Sequence, residues 1–257
     1  MKHTVNDHPE NKRRTFVKQS AIGLGALLMP GAKHRPNGPA QNNVVCVGGH
    51  PDDPESGCGG TLALLAKLGY KVTIIYLTTG EAGIPGKSHA EAAAIRKQES
   101  LNACKVLNAK PVFAGQIDGA TITNNEWIEK IFNLIENENP SMVFTHWPVD
   151  SHKDHQAASM LTIQAWWKAN QKYPLYFFEV LYGTQSTGFN PSEFVDITST
   201  QEQKRKAVFC HVSQDPAGIY ESGHADMEKF RGKGIGAKAA EAFVRLQGSA
   251  SGFSNSL

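Results

Sequence analysis

The 257-residue chain has only four cysteines, Cys46, Cys58, Cys104 and Cys210, and no pair of them has C-x-x-C spacing. That removes zinc-ribbon and dithiol redox chemistry and leaves buried thiols as the simplest account. A disulfide is open to an exported chain, but the sequence names no pair. Charge of one sign is equally scarce: 26 Lys and Arg against 24 Asp and Glu leave a formal net charge of +2. No basic stripe can follow a nucleic-acid backbone, so no nucleic-acid partner is expected. No apolar run approaches the ~20 residues that cross a bilayer, so the mature form has no stable membrane span. A fixed-period repeat is also missing, which argues against solenoids and propellers. The glycine-rich run Gly57-Cys58-Gly59-Gly60 matches neither a dinucleotide fingerprint nor a phosphate loop, and it reads as a tight turn into the first helix.

What remains is the composition of an ordinary globular protein, 40% hydrophobic and 19% charged, long enough to bury a sizeable core. The amino end reads as an address. Lys12-Arg13-Arg14-Thr15-Phe16 precedes a short apolar run from Ala21 to Met29, the order of a twin-arginine export leader. Residues 1–32 are therefore expected to be a leader, 33–43 a linker and 44–250 a single folded domain. A periplasmic or secreted location follows from that pattern.

Within the domain, β-branched apolar runs alternate with segments of helical period. The spacing predicts strands at Asn43–Gly48, Lys71–Thr78, Pro111–Ala114, Met142–Thr145 and Leu175–Leu181. Helices are predicted at Thr61–Leu68, Ala90–Leu107, Glu126–Ile135 and about His155–Ala169, with a mostly helical tail from Gln201 to Leu246. This is the pattern of an α/β fold: a doubly wound, mostly parallel, Rossmann-like sheet with helices on both faces.

In such sheets ligands bind beyond the carboxyl ends of the strands. The first strand ends in Gly49-His50-Pro51-Asp52-Asp53-Pro54-Glu55, the second in Thr79-Gly80-Glu81 and the third in Gln116-Ile117-Asp118. The fourth ends in His146-Trp147-Pro148-Val149-Asp150-Ser151-His152-Lys153-Asp154-His155. Imidazole and carboxylate both suit zinc, and a catalytic zinc takes three protein ligands with one position left for water. His50, Asp53 and His155 supply that number, and only one of the adjacent aspartates need face the metal. Asp52 is then free to take a proton from the acidified water. Iron and cobalt suit the same donors.

These residues resemble the PIG-L/LmbE-like zinc-dependent N-acetylglucosaminyl deacetylases, whose motifs are His-Pro-Asp-Asp-Glu and His-x-Asp-His. Thr79-Gly80-Glu81, Arg96-Lys97-Gln98-Glu99 and His211-Val212-Ser213-Gln214 extend the likeness over about Val44 to Gln214. The resemblance implies Zn2+ at His50, Asp53 and His155, and Asp52 as general base. It implies His152 as oxyanion stabiliser or acid, with Asp154 orienting and charging that imidazole. Arg96 and Asp118 fall where sugar or phosphate contacts are expected. The implied substrate is a small amino-sugar conjugate, and the implied reaction is hydrolytic removal of its N-acetyl group. Pro54 departs from the family pattern and puts the job of Glu55 in doubt.

Blander readings stand beside these. His-Pro-Asp-Asp alone is ordinary turn chemistry, but that does not explain the second motif after another strand. Arg96 and Glu99 are equally well read as a surface ion pair. Trp166 and Trp167 are assigned to packing and rim exposure, and His146 draws notice only because it closes a strand. Two competing functions remain: a catalytically impaired metal-dependent carbohydrate-binding module, and a zinc hydrolase of another amide or of a phosphoester. The sequence leaves the oligomeric state open.

Overall fold

The computed structural model describes residues 42–180 and 185–246. The expected leader and most of the linker lie outside the described residues. Strand β1 (Asn43–Gly48) is buried from Val44 onward, because it has a parallel neighbour on each side: β2 (Lys71–Tyr76) and β4 (Met142–His146). Helix α1 (Asp53–Lys67) follows β1, and α2 (His89–Leu107) connects β2 to β3 (Ala109–Phe113). Helix α3 (Asn125–Asn137) leads to β4, and α4 (Lys153–Lys168) leads to β5 (Leu175–Phe178). The sheet order among the described residues is β3-β2-β1-β4-β5-β7-β6. The strand order therefore switches between the parallel neighbours β1 and β4, which opens a crevice at their carboxyl ends.

Alternate residues of β1 face opposite layers. Val44 and Cys46 join the core under α1 and α2, while Val45 and Val47 join the core under α3 and α4. Cys46, Cys58 and Cys104 are buried free thiols, and Trp166 is buried while Trp167 is half exposed. Among the described residues no helix is long and apolar enough to cross a membrane.

The tail departs from the expected helical run. Helix α5 (Gln201–Val208), a short helix α6 (Pro216–Ile219), a π-turn at Tyr220–His224 and α7 (Ala225–Ile235) are present. The described residues then end in strand β7 (Ala240–Leu246), antiparallel to both β5 and β6 (Glu193–Asp196). The segment Ala240-Glu241-Ala242 is made of helix formers, and its place in the sheet between β5 and β6 overrides that preference.

The first helix also begins earlier than expected, at Asp53 rather than Thr61, so the Gly57–Gly60 run lies inside it. Pro54 sits in the first turn, where its missing N–H costs nothing. The glycines serve close packing: a Cβ at position 57 would lie 2.3 Å from the Phe178 ring, and one at position 60 would lie 2.7 Å from Ile197. The helix kinks at Cys58, whose φ is −145°. Beyond the kink the N–H groups of Gly60 and Thr61 donate to the Glu241 carboxylate at 2.9 and 2.7 Å. Lys204, itself buried, balances that charge, with Nζ 2.7 Å from Glu241 and 2.9 Å from Glu228.

Glu241 thus caps the second half of a broken helix. Replacing it (Glu241→Ala) strands two amides and half of a buried ion cluster, and should lower unfolding free energy by roughly 3–5 kcal/mol in urea titrations. A loss below about 1 kcal/mol, the scale of one ordinary hydrogen bond, would show that the cap is dispensable.

Candidate metal centre

The crevice is built from two loops. After β1, the N–H of His50 donates to Asp53 Oδ2 at 2.7 Å and the N–H of Asp53 returns to the His50 carbonyl at 3.3 Å. This folds both side chains onto one side and sets the Asp53 carboxylate at the positive end of α1. Asp52 is forced to φ +104°, a conformation that is costly for a side chain with a Cβ. Arg96, on α2, holds it there: its guanidinium donates to the Pro51 carbonyl and lies 3.1 Å from Asp52 Oδ2. Gly80 and Gly83 leave room for that guanidinium, since a Cβ at either position would lie under 3 Å from it.

The second loop begins at His146, fully buried at the end of β4, whose Nε2 accepts the Gly49 N–H at 3.0 Å. Asp150 Oδ1 accepts the His152 N–H at 2.7 Å and contacts His155 Nδ1 at 3.1 Å. His155 then presents Nε2 to Asp53 Oδ1 at 3.2 Å. His152 caps α4, and its Nδ1 accepts the Asp154 N–H at 3.2 Å, so the proton of the neutral ring sits on Nε2.

Asp53 joins the two loops. It contacts His50 Nδ1 at 3.2 Å, His146 Nε2 at 3.3 Å and His155 Nε2 at 3.2 Å. Donor atoms of His50, His152 and His155 lie within 4.8 Å of one another; so do those of Asp53, His146 and His155, and those of His50, Asp118 and Asp154. Burial acts to neutralise these groups, and mutual attraction wins at several of them. Asp118, Asp154 and Asp53 hold the His50 imidazole well above its usual range against its burial. His155 is raised to about 9 against its burial, by Asp53 and Asp150. Asp53 is pulled well below the usual carboxylate range, against its burial, by His155 and His146. Burial and the His155 charge push His146 down to about 4, and burial followed by the charges of His50 and His155 lowers His152. Burial raises Asp52 in spite of Arg96. A buried surplus of carboxylate among imidazoles is a donor set that demands positive charge, and its N/O chemistry fits zinc.

The cluster floors a cavity of about 440 Å³ whose lining includes Asp52, Arg96, Asp118 and His152, within the size range of small-molecule sites. The sequence-derived candidates therefore meet in one place, with differences of partner. The Asp154 carboxylate does not touch His152. It takes the Gly119 N–H at 2.7 Å and the Thr121 hydroxyl at 2.6 Å, and lies 3.1 Å from His50 Nε2. Asp118 flanks the same nitrogen at 3.1 Å and accepts the Ala82 N–H at 3.0 Å.

Arg96 and Glu99 are buried and do not form the surface pair considered from the sequence. Glu99 accepts both the N–H and the hydroxyl of Ser213 at 2.7 Å. Glu55 accepts the Tyr76 hydroxyl at 2.5 Å and lies 3.4 Å from His211, which gives it a buried structural place despite Pro54. Sequence reasoning assigned nothing to Asp150, although a carboxylate five residues before a candidate ligand histidine is the kind of partner such rings take.

A PIG-L family model, described as GlcNAc-PI de-N-acetylase, matches residues 45–166. The chain is 30% identical over 192 residues to a diacetylchitobiose deacetylase of Thermococcus kodakarensis, covering 69% of this chain and 72% of that protein. It is 25% identical over 194 residues to a 4-oxalmesaconate hydratase of Pseudomonas putida, covering 68% and 75%. The solved N,N'-diacetylchitobiose deacetylase of Pyrococcus horikoshii has the same fold, with a TM-score of 0.72, 23% identity and 95% of each chain covered.

On another wall of the cavity stands His224, which also lines a small neighbouring cavity with Lys204. Burial, then the Lys204 charge, lowers it to about 3. An unfolded histidine takes up a proton below about pH 6.5, while the folded one resists until about 3. The unfolded state therefore binds more protons in this window, and stability from His224 is present above pH 6.5 and lost as pH falls toward 3. The loss amounts to about 1.4 kcal/mol per pH unit below 6.5. Urea unfolding at pH 7.5 and 5.0 should show a smaller drop for His224→Asn than for the native protein; equal drops would remove His224 from the acid response.

Proposed function

Because the chain belongs to the PIG-L family of de-N-acetylases, we propose that it is a zinc-dependent hydrolase removing the N-acetyl group from a small N-acetylglucosaminyl-type conjugate. Metal-dependent deacetylation of GlcNAc-like substrates is the family-level activity. The observation that carries the reading is the meeting of His50, Asp53 and His155 on one cavity floor, with Asp52 and His152 on the same cavity lining. Those three residues would hold the ion, the number and type of donors that a catalytic zinc takes. The ion supplies Lewis acidity, acidifying water and polarising the amide carbonyl.

The protein groups divide the proton work. Asp52, held in one place by Arg96 and raised by burial, is suited to take a proton from water. His152 carries its own proton on Nε2 and offers it to the developing oxyanion or the departing amine. Hydrolysis adds the hydroxyl of water to the acyl carbon, breaks the C–N bond and delivers protons to the nitrogen, giving acetate and a free amine. Arg96, whose Nε has no hydrogen-bond partner among the described residues, and Asp118 are proposed to contact the sugar. We propose that the Arg13-Arg14 leader directs the protein to the periplasm or beyond.

The hydratase relative gives a second reading, addition of water to a carbon–carbon double bond at the same site, and that reaction releases no amine. The impaired binding-module reading loses its motive, since Pro54 sits in the first turn of α1 and leaves Asp52 and Asp53 in the cluster.

Amine release from N-acetylglucosamine and a panel of its conjugates tests the proposal with metal-loaded protein, chelated protein and His155→Ala. Activity should vanish in the last two. Asp52→Ala should keep its metal and lose roughly 10²–10⁴-fold in turnover; unchanged turnover would remove Asp52 as the base.

A further inference from the structure

We infer that Asp154 and Asp150 are positioning residues for the two metal-binding imidazoles, Asp154 holding His50 by Nε2 and Asp150 holding His155 by Nδ1, so that each ring turns its other nitrogen toward Asp53. The inference rests on the metal site proposed above and gives Asp154 a different task from the one its motif suggests. Asp154 is fully buried and pinned by Gly119 and Thr121, so its carboxylate is fixed by groups independent of His152. From that position it meets His50 Nε2 at 3.1 Å. Asp118 shares the same nitrogen at 3.1 Å.

A ring nitrogen that donates its proton to a carboxylate cannot also ligate, so the lone pair lies on the other nitrogen. For His50 that is Nδ1, 3.2 Å from Asp53 Oδ2. His155 mirrors it: Nδ1 meets Asp150 Oδ1 at 3.1 Å and Nε2 meets Asp53 Oδ1 at 3.2 Å. Asp150 is itself held by the His152 N–H at 2.7 Å and by a bridge to Ser186. The third imidazole, His152, takes the same tautomer as His50 but from a backbone donor rather than a carboxylate, because the Asp154 N–H occupies its Nδ1. One residue thus acts on two rings: its side chain fixes the tautomer of His50 and its main chain fixes that of His152.

The test uses full-length protein as wild type, Asp154→Asn and Asp150→Asn. Zinc affinity is read by competition with a chromophoric chelator, and histidine tautomers by ¹⁵N spectra of the zinc-loaded wild type. Each variant should bind zinc roughly 10–100-fold more weakly, and the spectra should show N–H at Nε2 of His50 and at Nδ1 of His155. Zinc affinity of Asp154→Asn within about twofold of wild type, with amine release abolished, overturns the assignment and returns Asp154 to His152. A His50 proton at Nδ1 overturns it equally. Wild-type protein that binds no divalent ion overturns the metal reading itself, an outcome distinct from either. If Asp154→Asn does not fold, the Asp150 variant and the wild-type spectra decide.

Discussion

The carboxylate of Asp53 is the point on which the site depends. It is the first residue of α1, it accepts the backbone N–H of His50, and it stands within 3.3 Å of ring nitrogens on His50, His146 and His155. Those partners come from the end of β4 and the segments that follow β1 and β4, the two parallel strands between which the strand order switches. A negative charge at a helix amino end is favourable, and here the same charge ties two loops that are about a hundred residues apart in sequence. Without it the His50 and His155 rings would keep their outer carboxylates, Asp154 and Asp150, but lose the one acceptor they share.

Holding Asp53 still requires holding α1, and much of the unusual chemistry elsewhere serves that end. The helix approaches Phe178 and Ile197 so closely that only glycine fits at 57 and 60, and it breaks at Cys58. A broken helix leaves amides without carbonyl partners; Glu241, from the last strand, supplies the missing acceptor, and Lys204 neutralises it. The antiparallel strands β6 and β7 therefore do more than close the sheet. They bring in the carboxylate that lets the metal-facing helix bend where it does.

This division explains what was legible in the sequence. The parallel half of the sheet, β1 to β5, is visible as β-branched runs alternating with helical segments, and His50, Asp52, Asp53, His152 and His155 are visible because chemistry follows strand ends. What escaped is long-range. Ala240-Glu241-Ala242 has the local preference of a helix, and only its pairing with β5 and β6 makes it a strand. The Gly57–Gly60 run has the local look of a turn, and only Phe178 and Ile197 explain why it is a helix. Asp154 was read beside its sequence neighbour His152, whereas the fold turns its carboxylate to His50. Spacing reports which residues share a loop but not which way each side chain turns.

A relative named as a hydratase alongside one named as a deacetylase shows that the sheet and its loops do not by themselves choose a reaction. What such a site fixes is a place where positive charge is held and where water can be acidified. The choice falls to the groups around that place. Here a carboxylate kept proton-hungry by burial at Asp52 faces the same cavity as a neutral imidazole with its proton on Nε2 at His152. A base beside water and an acid for a departing nitrogen are the two requirements of amide hydrolysis. Addition to a double bond needs a proton delivered to carbon instead. The backbone donor on His152 Nδ1 and the Arg96 clamp on Asp52 both fix one protonation pattern before substrate arrives, and that pattern matches the amide.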